Sequence, residues 1–481
     1  MLIISSTQNN EPLAARERAA GELVFIEKDD DAAIKRLKEE ADKQDETCEK
    51  RMECYLVLKD PTSLWHLQTF GLTKDIERKV DVFATTKEDL LAKTIFVRLP
   101  NLQSPFPSLD RAAISRESET TVHLVIVGYS AQAEALAINA ALVAHYPNYC
   151  RDTRLKTRIT IIDDNVLDGR DGLIQRYIHL FDNSYYCSIN LKDENPQCIM
   201  HRPMYENQRK DFVDVEWEFI NGNIHNDAVL QKLTEWSNDS HQQLTIAFCH
   251  PDYSRNCDEA FRLPQPIYRN EMPVLCHTMD NELPDCNADK GSYSSVLPFG
   301  EKQCDIDTLR MLKKLAQRVN FVYNYCFSLK PGEPITAPSS IDEDVLDSQW
   351  QDVGSLTKQY SNIFNAMTLG AKMHSIGRSP EDWKDYYTLT SDEIDVLTEV
   401  EHNRWSVEEL ILGYRPVTPE EQEIVDKDIS QKKFLRNTKK AHYDLRSFDD
   451  LRADSTGKNV NVYDMALCQA IPLIIKSCIS E

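Results

Sequence analysis

The stretch Val122-His123-Leu124-Val125-Ile126-Val127-Gly128-Tyr129-Ser130-Ala131-Gln132-Ala133 decides the reading of this chain. Six residues, mostly β-branched or aliphatic, read as a buried strand, and Gly128 marks the turn at its end. An alanine-rich segment at 134–145 follows, apolar nearly all round, which predicts a buried helix. A tight turn between strand and helix aims backbone N–H groups and the positive helix end at an anion, so it is a candidate phosphate cradle. A dinucleotide fingerprint wants three glycines there, whereas this chain offers Gly128, Ser130 and Ala133. Alanine is tolerated at the third position; the Ser130 side chain obstructs close approach of a pyrophosphate. Asp163 or Asp164, ending the next strand, stands where a ribose hydroxyl would be gripped, about 35 residues on rather than the usual ~20. Two readings stay open: the turn holds NAD or another adenine nucleotide, or it has the same shape and binds nothing.

Strand–helix alternation extends to both sides of this stretch. Upstream, strands are expected at 23–26, 55–58 and 80–83. A charged helix is expected over 31–53, a second one after Asp60-Pro61, and a third after Thr86. Residues 101–119, with three prolines and several serines, read as a boundary. Downstream, Val213, Val215, Trp217 and Phe219 alternate with acidic residues, and strands recur at 244–249 and 274–277. Residues 165–210 are too long for a simple connection and read as a helix plus an ordered insertion. After 330–340 the pattern turns helical, with Leu356, Tyr360, Ile363, Met367 and Ala371 at helical spacing and a strong helix over 392–412. The fold class is therefore α/β: parallel sheet regions followed by a smaller, mainly helical domain. The expected division is 1–120, 121–330 and 341–481.

Composition narrows the function. The chain has 481 residues, and Lys+Arg 55 against Asp+Glu 78 leaves a formal net charge of −23. Such a surface repels polyanions and argues against DNA, RNA or anionic-membrane binding, which begins with phosphate neutralisation. Thirteen cysteines without a C-x-x-C pair argue for a reduced compartment rather than a disulfide or zinc framework. No signal peptide is evident, and no apolar run approaches the length of a bilayer span. The chain reads as soluble and cytoplasmic. No catalytic motif stands out: the loop His250-Pro251-Asp252 reads as solvated, and Cys249 and Cys276 as inert core thiols.

A second constellation lies near the C-terminus: Glu399-Val400-Glu401-His402-Asn403-Arg404-Trp405, then Gly413-Tyr414-Arg415-Pro416, then Lys440-Ala441-His442-Tyr443. On a helix, Glu401, His402 and Trp405 can share one face. An aromatic plane beside a histidine and an arginine suits an adenine ring and its phosphates. The same pattern also suits a small helical core with Trp405 inside it. Metal binding is not indicated.

These motifs, with the later Lys-x-His-x-x-Leu-x-x-Phe-x-x-Leu run, resemble a RyR domain, a module of ryanodine receptors also found singly in bacterial and phage proteins. In bacterial members a Rossmann domain similar to the TrkA-type NAD-binding fold comes first, as the order of segments suggests here over roughly residues 120–475. The resemblance implies a nucleotide-sensing or regulatory role, as in bacterial conflict and antiviral defence systems. It makes Glu401, His402, Arg404, Trp405, Tyr414 and His442 the ligand-binding candidates for a nucleotide-derived small molecule. A homo-oligomer or an effector partner would receive the signal. Two alternatives remain: an NAD(P)-dependent or NAD-consuming enzyme using the Gly128 turn, and an interaction scaffold that binds no ligand.

Overall fold

The computed structural model describes residues 3–5, 22–26, 29–44, 51–100, 102, 104–193, 195–203, 210–283, 293–304, 306–330, 333–378, 388–453 and 461–479. Two mainly parallel sheets form from the β-branched runs. The first has β1 (Ile3–Ser5), β2 (Glu22–Ile26), β3 (Met52–Leu58) and β4 (Val80–Thr86), in the order β1-β2-β3-β4 and parallel throughout. The second contains β5 (Thr121–Val127), β6 (Thr157–Asp163), β7 (Tyr186–Asn190), β8 (Cys198–His201), β9 (Val215–Asn221), β10 (Gln242–Phe248), β11 (Val274–His277) and β12 (Val296–Phe299). Its order is β12-β11-β10-β5-β6-β9-β7-β8, with only the β7–β8 pair antiparallel.

A parallel sheet must be covered on both faces, because its strands are apolar on both. One face of the large sheet joins an apolar core that runs from Ala33 to Cys478 and includes Leu124, Ile126 and the helix Ala131–Val143. Val125, Val127, Ile246 and Phe248 face the other way, against Val229, Leu233 and Trp236 of the helix Asp227–Asn238. His123 points from β5 between Gln242 and Thr160, at 2.8 Å from each, and burial holds its imidazole down at about 3. The helical C-terminal region packs on this framework through the helices Ile306–Ser328, Leu356–Met367, Ser391–Ile411 and Asn461–Ile479.

Several boundaries differ from the sequence reading. The charged helix expected over 31–53 ends at Asp42, and Met52 and Glu53 already belong to β3; residues 45–50 lie outside those described. Residues 165–210 supply the helices Val166–Arg176 and Ile178–Asn183 and then the β7–β8 hairpin, which extends the sheet beyond β9. Residues 104–119 are packed into the structure: Phe106, Leu109 and Ile114 are buried, Asp110 meets His374 at 2.8 Å, and Ala112 bonds Gln243. From sequence, no apolar run is expected to approach the length of a bilayer span. In the folded helix, Val462–Ile479 has a mean hydropathy of 1.4 and reaches the length of a membrane span, with half of it buried inside the protein. Core helices of globular proteins meet the same criterion.

β4 is an edge strand of the first sheet, and the C-terminal region covers it. The Tyr360 hydroxyl accepts from Ala84 N–H at 3.0 Å and donates to Ala84 C=O, so one side chain satisfies both free edge groups. Asp81, on the same strand, accepts from Trp350 Nε1 at 3.1 Å and Gln359 Nε2 at 3.2 Å and pairs with Lys313. An open edge is a pairing hazard, and here it is closed by polar caps from another part of the chain. Tyr360→Phe should therefore strand two buried backbone groups and cost about 1–3 kcal/mol. Urea denaturation against wild type measures it; a change within error would show that the edge is satisfied some other way.

Candidate functional site

Two loci hold the sequence candidates. The first lies at the carboxyl ends of β5 and β10, where the chain leaves β5 for one side of the sheet and returns on the other. Gly128 has φ +92°, and a Cβ there would stand 2.6 Å from both His250 N and His250 Nδ1. Glycine is therefore required so that His250 can sit against the turn. The imidazole fills the place that close approach of backbone to a phosphate would need. His250 is not solvated, as the sequence reading had it, but 3% exposed. Its Nε2 lies 2.8 Å from Glu259 Oε2, and its backbone N–H donates to Asn256 Oδ1 at 2.7 Å. Burial pushes the Glu259 carboxyl up, and the bonds from His250 and Arg255 outweigh it, leaving it below the usual range.

Two of the turn's own N–H donors, those of Tyr129 and Ala133, are also engaged. Ser130 caps the helix, accepting from Ala133 N–H at 3.3 Å and donating to Cys249 C=O at 2.6 Å. Asp163 accepts from Tyr129 N–H at 3.1 Å and from Asn165 N–H at 2.8 Å. Asp164 lies 3.4 Å from both Arg255 Nη2 and Asn223 Nδ2. Gly128, Ser130, Ala133 and Asp163 are thus brought together, but Asp163 supplies the anion for this loop. Cys249 and Cys276 are fully buried, as expected of core thiols.

The second locus is built on the helix Ser391–Ile411, started by a Thr390/Glu393 capping box. Glu401 and Arg404, one turn apart, are buried and paired: Arg404 Nη2 to Glu401 Oε1 is 2.8 Å, and Arg404 Nε to Glu401 Oε2 is 2.9 Å. Lys372 completes the pairing from one neighbouring helix, Asn365 adds a bond of 2.7 Å from another, and Glu408 takes the far side of the guanidinium. Burial alone would raise the Glu401 carboxyl, but Arg404 and Lys372 bring it down to about 2. The two candidates with opposite charge therefore complete each other inside the protein.

The other four candidates form an aromatic group above that base. His402 is 1% exposed and its Nε2 lies 2.7 Å from Arg446 C=O. The Trp405 ring centroid is 5.6 Å from His402 and 4.9 Å from His442, the latter edge-on at 76°. Tyr414 meets His442 edge-on at 6.2 Å. Tyr414 and His442 are adjacent because Arg415–Pro416 pairs with Ala441–His442 in a short parallel bridge. Burial lowers His442 to about 4, so its ring is neutral at pH 7. Beside this group Asp464 approaches His402 Nδ1 at 3.8 Å, and its neighbour Tyr463 stacks on Phe327 at 4.9 Å.

One residue of this locus was missed from sequence. From Leu397 to Leu412 every side chain is buried except Trp405 and Glu409. They are four apart, so they share one face of the helix and are its only opening in that span. No hydrogen bond or ion pair holds the Glu409 carboxyl among the described residues. Burial, together with Glu408 beside it, pushes Glu409 up to about 8. A half-buried carboxyl one turn along the helix from the indole adds a hydrogen-bonding group to the same face. No three His, Cys, Asp or Glu residues among those described converge as metal ligands.

The paired base generates a prediction. Glu401→Gln leaves Lys372 and Arg404 sharing too little negative charge inside the protein. Removing one partner of a buried ion pair costs about 3–5 kcal/mol. Denaturant titration checks it, and a loss below about 1 kcal/mol, the level of surface pairs, would mean that the cluster is hydrated.

No protein-family model, curated protein or solved structure matches this chain.

Proposed function

We propose that the chain is a nucleotide-sensing regulatory protein whose ligand stacks a purine on Trp405, between His442, Tyr414 and the Glu409 carboxyl. One observation carries this reading: the helix Ser391–Ile411 is sealed from Leu397 onward except at Trp405 and Glu409, the aromatic face and the polar group that a purine needs. Base–aromatic stacking supplies affinity without fixing the base, and a carboxyl can read a ring edge. The resemblance of the Glu401–Trp405, Gly413-Tyr414 and Lys440–His442 motifs to a RyR domain supports the same assignment. Glu401 and Arg404 belong to it as the foundation of the helix, while Trp405, Tyr414, His442 and Glu409 make the contact surface.

The strand order favours a second reading. Counting β5, β6, β9, β10, β11 and β12 as first to sixth, the sheet runs 3-2-1-4-5-6, the doubly wound order of dinucleotide-binding folds. It supports a Rossmann-like region with a ligand edge between β5 and β10. Against NAD at that edge stand His250 in the turn and the engaged N–H groups of Tyr129 and Ala133. Under this proposal the region is the scaffold of the sensor, and the nucleotide sits at Trp405.

Calorimetry with ATP, ADP, AMP, NAD and ADP-ribose tests the reading. Trp405→Ala should remove about 1–3 kcal/mol of binding, and Trp405→Phe less, as expected of a stacking face. A Trp405→Ala protein that folds normally and binds every nucleotide like wild type sinks the pocket. Consumption of NAD during titration would favour the enzyme reading instead, and binding of none of the nucleotides the scaffold.

Glu409 adds a pH signature. Its folded-state value lies above the ordinary 4.5, so its contribution to stability is complete below about 4.5 and is lost as pH rises through about 8. Glu409→Gln should abolish that loss, so the stability gap between variant and wild type should move in the variant's favour from pH 5 to pH 8.5. Parallel denaturation curves at the two pH values would contradict the burial assigned to this carboxyl. His442 titrates in the opposite sense below about 6.5, and comparison with the variant cancels it.

A further inference from the structure

A cleft of about 280 Å³ opens where β3 and β4 begin, between the short helix Lys74–Lys79 and the Gly354–Leu356 entry to the helix Leu356–Met367. It shares no residue with either locus above. Three of its lining side chains are cationic: Arg51, Lys74 and Arg78. None of the three has an ion-pair partner among the described residues, in a chain whose net charge is −23. Lys74 and Arg78 stand four apart on one helix, where like charges repel, so their placement is a standing cost unless something neutralises them.

Two carboxylates, Glu77 and Asp352, line the same cleft, but neither forms an ion pair with these cations among the described residues. Glu77 Oε1 is committed to backbone, accepting from Leu72 N–H at 3.0 Å and from Leu356 N–H at 3.2 Å. Asp352 also lines the cleft but is exposed, and Asp81 is already held by Trp350, Gln359 and Lys313. Behind the cations Val80, Val82 and Leu356 form an apolar strip in a wall that also carries Gln351, Ser355 and Gln359. A recess with a cationic rim and a partly apolar wall matches a molecule with a compact anionic end and a less polar body. Its volume is at the low end of the usual range for small-molecule sites, which favours a compact ligand. A phosphate monoester brings close to two negative charges near neutral pH and three acceptor oxygens.

We propose that this cleft is a binding site for a small phosphate monoester, its phosphate held by Arg51, Lys74 and Arg78 and its sugar or nucleoside lying on the apolar strip. The site is independent of the purine pocket. Its position couples the amino edge of the first sheet to the helix that carries Tyr360, so occupancy would tighten the joint between the sheet and the C-terminal region.

Calorimetry on the full chain tests it with ribose 5-phosphate, which has no base to stack on Trp405, alongside AMP, ribose and inorganic phosphate. Ribose 5-phosphate should bind at least tenfold more tightly than ribose, and AMP should compete with it. Lys74→Glu with Arg78→Glu should weaken ribose 5-phosphate at least tenfold; both residues are exposed, and circular dichroism checks that the variant folds. Trp405→Ala should leave this binding unchanged. Absence of binding at millimolar ribose 5-phosphate, or equal binding by the charge-reversed variant, overturns the site. Inorganic phosphate binding as tightly as ribose 5-phosphate would overturn the role of the apolar strip.

Discussion

The buried cluster Lys372–Glu401–Arg404–Glu408 is the constraint on which the C-terminal half depends. Two cations and two carboxylates, each at most 2% exposed, must satisfy one another because water cannot reach them. Replacing such a cluster with apolar residues is often neutral or stabilising, so its value is not simply stability. Its geometry is demanding: Asn365, Lys372 and Glu401 come from three helices and meet only in one arrangement. A slip of the helix Ser391–Ile411 by one residue would move Glu401 off Lys372 and leave charges bare. The cluster therefore fixes the rotation of that helix, and with it the direction in which Trp405 and Glu409 open.

A different constraint rules the large sheet. At Gly128 two backbone segments, from β5 and β10, approach so closely that not even a methyl group fits between the turn and His250. The helix Tyr253–Ala260 then supplies the partners of His250, Asn256 for its backbone and Glu259 for its ring. The carboxyl edge of the sheet is thus closed from inside by a polar network rather than left as a crevice. The same geometry that makes a turn suitable for pyrophosphate, a glycine with positive φ ahead of a helix, also serves to admit an imidazole.

How much of this was legible depends on how local the cause is. The strand at Val122–Val127, the turn at Gly128 and the buried helix after it follow from neighbouring residues, and the sheet region assembled around them. Glu401 was legible as sharing a helix face with His402 and Trp405, but its partner Lys372, 29 positions away, was not, so a buried ionic base read as ligand chemistry. His250 lies far along the chain from Gly128, and nothing in His250-Pro251-Asp252 announces that the ring faces inward. Glu409 was passed over because a glutamate on a helix ordinarily faces solvent. Only the burial of its surroundings sets it apart. The overrun of the helix expected over 31–53 has a simpler cause: Arg51 and Glu53 continue the charged pattern, while Met52 and Glu53 pair as strand with β4.

The distribution of opening and closure also argues for where recognition belongs. A ligand surface needs polar groups with spare bonding capacity, and at the Gly128 turn the N–H groups of Tyr129 and Ala133 and the Asp163 carboxylate are already bonded within the loop. Filling that edge with a dinucleotide would require breaking the Asp163–Tyr129 and Ser130–Ala133 bonds and moving His250, with no evident gain that water would not match. At Trp405 nothing has to be broken. The aromatic faces are already set at right angles by His442 and Tyr414, the ionic base beneath them holds without a ligand, and the Glu409 carboxyl has no hydrogen bond or ion pair among the described residues. A pre-organised surface loses less on binding than one that must first be dismantled, and on the proposed reading that difference favours the helix over the sheet as the place for a purine.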